Sequence, residues 1–200
     1  LDNETYRRDI IRQPTAGNVL NDFGKAYYGT RGSNYSVYGE GTWNFSPRFR
    51  GITGLRLTRD NLDNFHSRVS TGLVALPGIQ PAHAFHTGST SANGTSGRGG
   101  LQYDLSKNTM IYATYSRGYK GPAYNVFFNQ TPLQVGALLP ETSDSYEIGL
   151  KTLTLKNRLQ LTLTAFDTKF HNYQANYQTL VVGTPVTNLI NAGEVSSKGL

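Results

Sequence analysis

The sequence of 200 residues contains no cysteine, which excludes disulfide bonds, thiol catalysis and metal sites built on thiolates. It also lacks any apolar run that approaches the roughly 20 residues of a membrane-spanning helix. The stretch 73–76 is among the longest such runs. Charged residues make up only 16% of the chain, and the net charge of +6 is spread along it. An anionic partner is therefore only weakly indicated.

Aromatic residues are frequent, at 12% of the chain, whereas the mean hydropathy is only −0.44. This composition is too polar for a helical membrane protein and too aromatic for a disordered chain. A β-barrel in lipid produces such a mixture, because every second residue of a strand meets the bilayer and aromatic residues gather at the lipid–water interfaces.

Apolar and polar side chains alternate with a period of two, which predicts strands whose two faces have different surroundings. In the segment 35–45, Tyr35, Val37 and Trp43 fall on one face and Glu40 on the other. Similar segments occupy residues 49–58, 101–105, 110–116, 146–151 and 159–166. In 110–116 both faces carry large residues, so the pattern does not assign which face of that segment points outward.

Short and long connections alternate between these segments. Tight turns are predicted at residues 44–48, 106–108 and 156–158, and long loops rich in Gly, Ser, Asn and Pro at 61–97, 120–143 and 172–192. Outer-membrane barrels have this pattern, with short turns in the periplasm and longer loops outside. The sequence therefore predicts an all-β protein, an antiparallel transmembrane β-barrel with about seven strands in this stretch. A soluble all-β binding domain is the alternative.

Several motifs occur in an order that resembles the barrel domain of TonB-dependent receptors. The most specific are PETSDSYEIGLK at 140–151 and YSRGYKG at 115–121. Looser matches are YSVYGE at 35–40, GLRLTRD at 54–60, LTAF at 163–166 and NAGEVSSKG at 191–199. Together they cover about residues 33–200.

The resemblance implies a transporter of the bacterial outer membrane rather than an enzyme, built as a barrel of about 22 strands around a plug domain. Residues 1–200 are then expected to be a fragment of that barrel, without its plug and C-terminal strands. The implied partners are outer-membrane lipid and lipopolysaccharide, the plug of the parent chain, the TonB complex and a nutrient such as a ferric siderophore. Neither a cofactor nor a nucleic acid is implied. A small complete outer-membrane barrel acting as a passive pore or a structural protein is a further alternative.

A basic and aromatic segment follows the predicted strand 110–116. Arginine and lysine beside aromatic rings on an external loop can hold an anionic, partly aromatic ligand by charge and stacking. The candidate residues for this site are Arg117, Tyr119, Lys120, Tyr124, Phe127 and Phe128. The same residues also fit an aromatic girdle with cations near lipopolysaccharide phosphate.

Three charged residues alternate with apolar neighbours and are expected to face the lumen: Arg56, Glu147 and Lys151. There they can pair with a plug, or with neighbouring strands and water. His83 and His86 have a spacing that two metal ligands could use, but the sequence places no third ligand beside them. No metal site is therefore predicted.

Overall fold

The structure is a computed structural model that describes residues 2–11, 23–70, 81–156, 158–181 and 184–200. Ten strands run through these residues: β1 Asp2–Ile11, β2 Phe23–Asn44, β3 Phe49–Ser70, β4 His83–Ser106, β5 Thr109–Lys120, β6 Glu141–Thr154, β7 Leu159–His171, β8 Gln174–Val181, β9 Thr184–Asn191 and β10 Val195–Gly199. A short 3-10 helix at Pro132–Gln134 lies between β5 and β6.

Eight strands form one antiparallel sheet in the order β1-β2-β3-β4-β5-β6-β7-β10, so strands β1 to β7 pair in chain order and β10 pairs with β7. Strands β8 and β9 form a separate hairpin inserted between β7 and β10. The prediction of an antiparallel all-β structure is thus confirmed.

The register carries one apolar face across the sheet. Val37 pairs with Leu57, Leu101 with Ala113, and Ile148 with Ala165, and the large residues two positions away on the same strands, such as Tyr35 and Leu55, lie on the same side. Its large side chains are exposed, with 68% of Val37 and 66% of Leu163 accessible. We call this the apolar face; it includes Val37, Leu57, Leu101, Ile111, Ile148 and Leu163. The register also assigns Ile111, Ala113 and Tyr115 to it, which settles the orientation of residues 110–116.

The opposite side, which we call the polar face, carries the residues between them. They include Glu40, Arg56, Arg98, Tyr112, Glu147 and Lys151. Strands with one apolar and one polar face need a different environment on each side of the sheet, and lipid on one side with a polar lumen on the other provides it.

All the tight turns of the large sheet lie at one end, which we call the turn end. They connect β2 to β3 at 45–48, β4 to β5 at 107–108 and β6 to β7 at 155–158. These connections confirm the predicted turns, except that Asn157 lies outside the described residues. The connections at the other end, the loop end, are longer: 71–82, 121–140 and the segment 172–194 that contains the β8–β9 hairpin.

The predicted loop at 61–97 is wrong over most of its length. β3 continues to Ser70 and β4 begins at His83, while 71–80 lie outside the described residues. β2, β3 and β4 therefore have 22, 22 and 24 residues, far beyond the roughly 9–11 that cross a bilayer. Both faces of the added part are polar or mixed, so its composition resembles a loop although its backbone pairs as a sheet.

The predicted loop at 172–192 also contains strands, β8 and β9, and β1 with the first part of β2 was not predicted. These segments lack a clean two-residue alternation. Their peptide groups nevertheless form hydrogen bonds with neighbouring strands, because backbone pairing does not require apolar side chains.

Candidate functional site at the loop end

The connection 121–140 folds onto the polar face of the long strands. Phe128 packs with Ala26 and Tyr28 of β2, and each of these three residues is at most 8% exposed. Val126 packs beside them. An isolated bridge between Ala123 and Leu138 closes the base of the connection, with the Leu138 amide 2.7 Å from the Ala123 carbonyl oxygen. The loop end therefore has its own small core, located on the polar face.

Arg68 of β3 fastens this connection to the sheet and is only 3% exposed. Its guanidinium donates to the carbonyl oxygens of Phe128 at 2.7 Å and Gln130 at 3.0 Å. It also donates two hydrogen bonds to the carbonyl oxygen of Pro81, at 2.9 and 2.8 Å, just before β4. Five donors in a rigid fork let one side chain reach three separate backbone carbonyls. Burial lowers the pKa of Arg68 to about 10, so it stays charged at neutral pH.

Two histidines lie next to Arg68. His66 is 1% exposed, and its Nδ1 lies 3.0 Å from Nδ1 of His83, while its Nε2 lies 3.4 Å from the Phe128 carbonyl oxygen. Burial first, and then the positive charge of Arg68, lower the pKa of His66 to about 4. His66 is therefore neutral at pH 7. The rings of His83 and His86 stack with centroids 6.4 Å apart.

Asparagine and glutamine side chains tie the connection to the β8–β9 hairpin. Asn125 accepts a hydrogen bond from the Leu189 amide at 2.7 Å and donates to the Leu189 carbonyl at 3.0 Å. The side chain of Gln174, at the start of β8, donates to the carbonyls of Gly121 and Leu139 at 2.9 and 3.0 Å. The connection, the hairpin and the long strands thus form one assembly.

The six predicted ligand residues have different surroundings. Tyr124 and Phe128 are 7% and 5% exposed, so both are mostly covered by the connection and the sheet. Phe127 is half-buried. Lys120 is exposed and its Nζ lies 3.9 Å from the Glu141 carboxylate.

Arg117 and Tyr119 each bind a carboxylate. Arg117 lies 3.0 Å from Asp144, which also accepts a hydrogen bond from Tyr115. The Tyr119 hydroxyl donates to Asp60 at 2.9 Å, and its ring covers Gly94, where any β-carbon would collide with it. Burial and the bond to Asp60 raise the pKa of Tyr119 above its usual value. A ligand at this position would therefore compete with bonds that are already formed.

The charges predicted to face the lumen all lie on the polar face, nearer the turn end. The Arg56 guanidinium lies 5.6 Å from the ring centroid of Tyr38. Glu147 accepts a hydrogen bond from the Tyr112 hydroxyl at 2.5 Å, and the Lys151 ammonium lies 5.1 Å from the centroid of the same ring. The structure thus puts them on one surface of the sheet with aromatic neighbours.

In the residues that the structure describes, no helix is long and apolar enough to cross a membrane. Within the same residues, no group of three or more His, Cys, Asp or Glu side chains is placed to hold a metal ion.

Sequence reasoning missed the residues that organise this end: His66, Arg68, Asn125 and Gln174. All four lie in stretches that the sequence predicts to be loops, and the sequence gives none of them a role. Their contacts join residues far apart in sequence, such as Arg68 with Phe128 and Asn125 with Leu189. In the sequence, the spacing of His83 and His86 and the candidate ligand residues Tyr124 and Phe128 were the signals that pointed to this place.

The two-faced antiparallel sheet with tight turns at one end defines the wall of a transmembrane β-barrel. The model of the TonB dependent receptor-like β-barrel family matches residues 1–200. The chain therefore belongs to the TonB-dependent receptor family, through its β-barrel domain. The family consists of transport receptors of the bacterial outer membrane rather than enzymes.

Solved structures share this fold at low sequence identity. The ferric yersiniabactin uptake receptor of Yersinia pestis matches with a TM-score of 0.69 and 20% identity, over 89% of this chain and 24% of that receptor. The siderophore receptor PiuA of Acinetobacter baumannii matches with a TM-score of 0.56 and 19% identity, over 88% of this chain and 22% of that receptor. The closed form of the ferric-catecholate import receptor Fiu of E. coli K12 matches with a TM-score of 0.53 and 19% identity, over 90% of this chain and 25% of that receptor. The chain spans about a quarter of the length of these receptors.

Proposed function

We propose that these residues form part of the barrel wall of an outer-membrane receptor that imports an iron–siderophore complex with energy from TonB. The observation that carries this proposal is the separation of the two faces. On β2 the exposed apolar band runs from Tyr35 to Trp43, which matches the roughly 9–11 residues that a tilted strand needs to cross a bilayer. Family membership supports the transport function.

In this proposal the turn end faces the periplasm and the loop end faces the outside. The polar face then surrounds the lumen, where Arg56, Glu147 and Lys151 contact the plug domain of the parent protein. Aromatic residues support the placement of the membrane. The rings of Tyr115 and Tyr146 lie with centroids 5.1 Å apart near one border of the apolar face, and those of Phe45 and Phe49 lie 5.3 Å apart near the other.

The loop end is the proposed ligand-binding region. Of the six residues proposed there, Arg117 and Lys120 are exposed and Phe127 is half-buried, so a ligand can reach these three. Arg117 and Tyr119 would bind it by exchanging their present carboxylate partners. Tyr124 and Phe128 would act from beneath, by holding the connection 121–140 in place.

Cysteine labelling of whole cells tests the orientation, and the 200 residues contain no cysteine that would interfere. Ser89→Cys lies on the exposed part of β4 near the loop end, and Lys107→Cys lies in a tight turn. In the intact parent protein we expect a membrane-impermeant maleimide to label Ser89→Cys only. Preferential labelling of Lys107→Cys would reverse the orientation.

Uptake of radioactive iron tests the function. The parent protein is expressed in cells without their own siderophore receptors and offered a panel of ferric siderophores, with and without TonB. TonB-dependent uptake of at least one complex is expected. Uptake of small solutes that does not need TonB would favour the passive pore. TonB-dependent import of another nutrient would overturn only the proposal that the ligand is an iron–siderophore complex.

The ligand residues are tested in the same cells. Lys120→Gln should weaken uptake of the recognised complex, because Lys120 is an exposed cation at the loop end. Lys156→Gln removes an exposed charge from a tight turn at the opposite end and serves as its control. Equal uptake by both variants would remove Lys120 from the proposed site.

A further inference from the structure

An open groove of about 480 Å³ lies on the side of the apolar face, but on the part of β2–β4 nearest the loop end. Its walls are the aromatic rings of Tyr27, Phe65 and Phe85. Tyr27 and Phe85 are 47% and 65% exposed. Exposed aromatic rings grouped around a groove indicate a binding surface more often than chance placement does.

The local sequence explains why a groove forms here. Gly29 pairs with Phe65, so the strand position beside the ring of Phe65 carries no side chain. The Tyr27 and Phe65 rings lie against each other with centroids 4.9 Å apart. The register between β3 and β4 shifts by one residue between His66 and Arg68, which places Ala84 and Phe85 opposite Ser67. Such a bulge redirects side chains, and here Phe85 points outward.

Polar side chains border the groove on the side of the membrane. Arg31 is the cross-strand partner of Asp63, and Asp63 is the partner of Ser89, so the three form one row across β2, β3 and β4. All three are exposed and line the groove. The site therefore combines aromatic faces with a cation, a carboxylate and a hydroxyl group.

Its height places the groove outside the bilayer. Tyr27 precedes Tyr35, the last residue of the apolar band on β2, by eight residues. At about 3.3 Å per residue and a tilt of about 40°, this corresponds to about 20 Å along the membrane normal. The polar headgroup layer of a bilayer is only about 5–7 Å thick on each side. Acyl chains and lipid phosphates therefore lie below the groove.

We propose that this groove binds the core oligosaccharide of lipopolysaccharide, the material that covers the outer leaflet at this height. The apolar faces of pyranose rings pack on Tyr27, Phe65 and Phe85, while their hydroxyl and acidic groups bind to Asp63, Ser89 and Arg31. The proposal rests on the orientation given under Proposed function, but it does not depend on what the receptor imports.

The test uses the full-length receptor purified in detergent and core oligosaccharide released from lipopolysaccharide by mild acid. Binding is measured by saturation-transfer NMR and by tryptophan and tyrosine fluorescence titration. The variants are Tyr27→Ala and Phe85→Ala. Tyr177→Ala is the matched control, because Tyr177 is 45% exposed on the separate β8–β9 hairpin. Heat-modifiable migration on a gel confirms that each variant is folded.

We expect saturable binding that Tyr27→Ala and Phe85→Ala each weaken at least about fivefold, the effect of losing one aromatic stacking contact. Tyr177→Ala should bind like the unmodified receptor. Absence of binding, or equal weakening in all three variants, would overturn the proposal. The proposal would also be overturned if the receptor bound lipopolysaccharide without core sugars as tightly as the core oligosaccharide, because binding would then come from the lipid headgroup. Failure of iron uptake with normal sugar binding would contradict only the proposed function.

Discussion

The two ends of β2–β4 belong to the same hydrogen-bonded strands and are stabilised in opposite ways. Near the turn end, the large side chains point to the apolar face, and Val37, Trp43 and Leu55 are all more than half exposed to solvent. Near the loop end, the buried side chains point to the polar face, where His66 and Arg68 are covered by residues 121–140. One end therefore exposes an apolar surface, which lipid would cover in the proposed barrel, and the other end is covered by a connection of its own chain.

This difference shows why a strand can continue without its hydrophobic pattern. In the bilayer no water is available to the backbone, so pairing is obligatory and apolar side chains must face outward. Above the bilayer, water can solvate either face, and the pairing is instead reinforced by side chains that bind backbone carbonyls. Arg68 and Asn125 have that role at the loop end.

Arg68→Met should have the largest effect on the loop end. It removes the donors to three backbone carbonyls, and each carbonyl left buried without that partner costs about 1–3 kcal/mol. We expect faster hydrogen exchange of the amides in 121–140, including Leu138, while the apolar half of the sheet keeps its protection. Arg59→Met is the control, because exposed Arg59 binds only the side chains of Asn93 and Ser91 in the described structure. Equal protection in both variants would show that Arg68 does not fasten the connection.

Leu163→Arg should destabilise the apolar half of the sheet, near the turn end. Leu163 is exposed on the apolar face, and an arginine in hydrocarbon costs about 2–4 kcal/mol near the bilayer midplane. Thr164→Arg should cost much less, because Thr164 lies on the polar face, where the Tyr112 hydroxyl bonds both Thr164 and Glu147. The measurement is urea unfolding in lipid vesicles, followed by migration on a gel. Similar losses for the two variants would contradict the assignment of faces.

A change of pH should produce the smallest effect, confined to the loop end. Because burial lowers the pKa of His66 to about 4 from an ordinary value near 6.5, the unfolded loop end binds a proton more readily than the folded one. The stabilisation is complete above pH 6.5 and is lost as the pH falls toward 4. Hydrogen exchange of residues 121–140, corrected for intrinsic rates, should therefore accelerate at pH 5. His66→Gln should reduce this acceleration, and an unchanged acceleration would assign it to another group.

How much of the fold was predictable depended on which end of the strands a residue occupies. The alternation from Tyr35 to Trp43 and the tight turns were predicted correctly, because lipid imposes a two-residue pattern and short turns need particular residues. The continuation of β3 through Asn61 and Asp63 was not, since its apolar residues Leu62, Phe65 and Val69 do not follow a two-residue alternation. The six ligand residues remain a prediction, and the structure distinguishes buried Tyr124 and Phe128 from exposed Lys120.

The sequence by itself determined the two faces of the sheet, its tight turns and the family, because these depend on residues close together in the chain. Only the tertiary structure decided that β2–β4 extend far beyond the apolar band and that residues 121–140 fold onto their polar face. Those features depend on pairs such as Arg68 with Phe128 and Asn125 with Leu189, separated by about 60 residues. Local patterns contain no signal for such pairs, because a single polar side chain can bind any backbone carbonyl that the fold brings within reach.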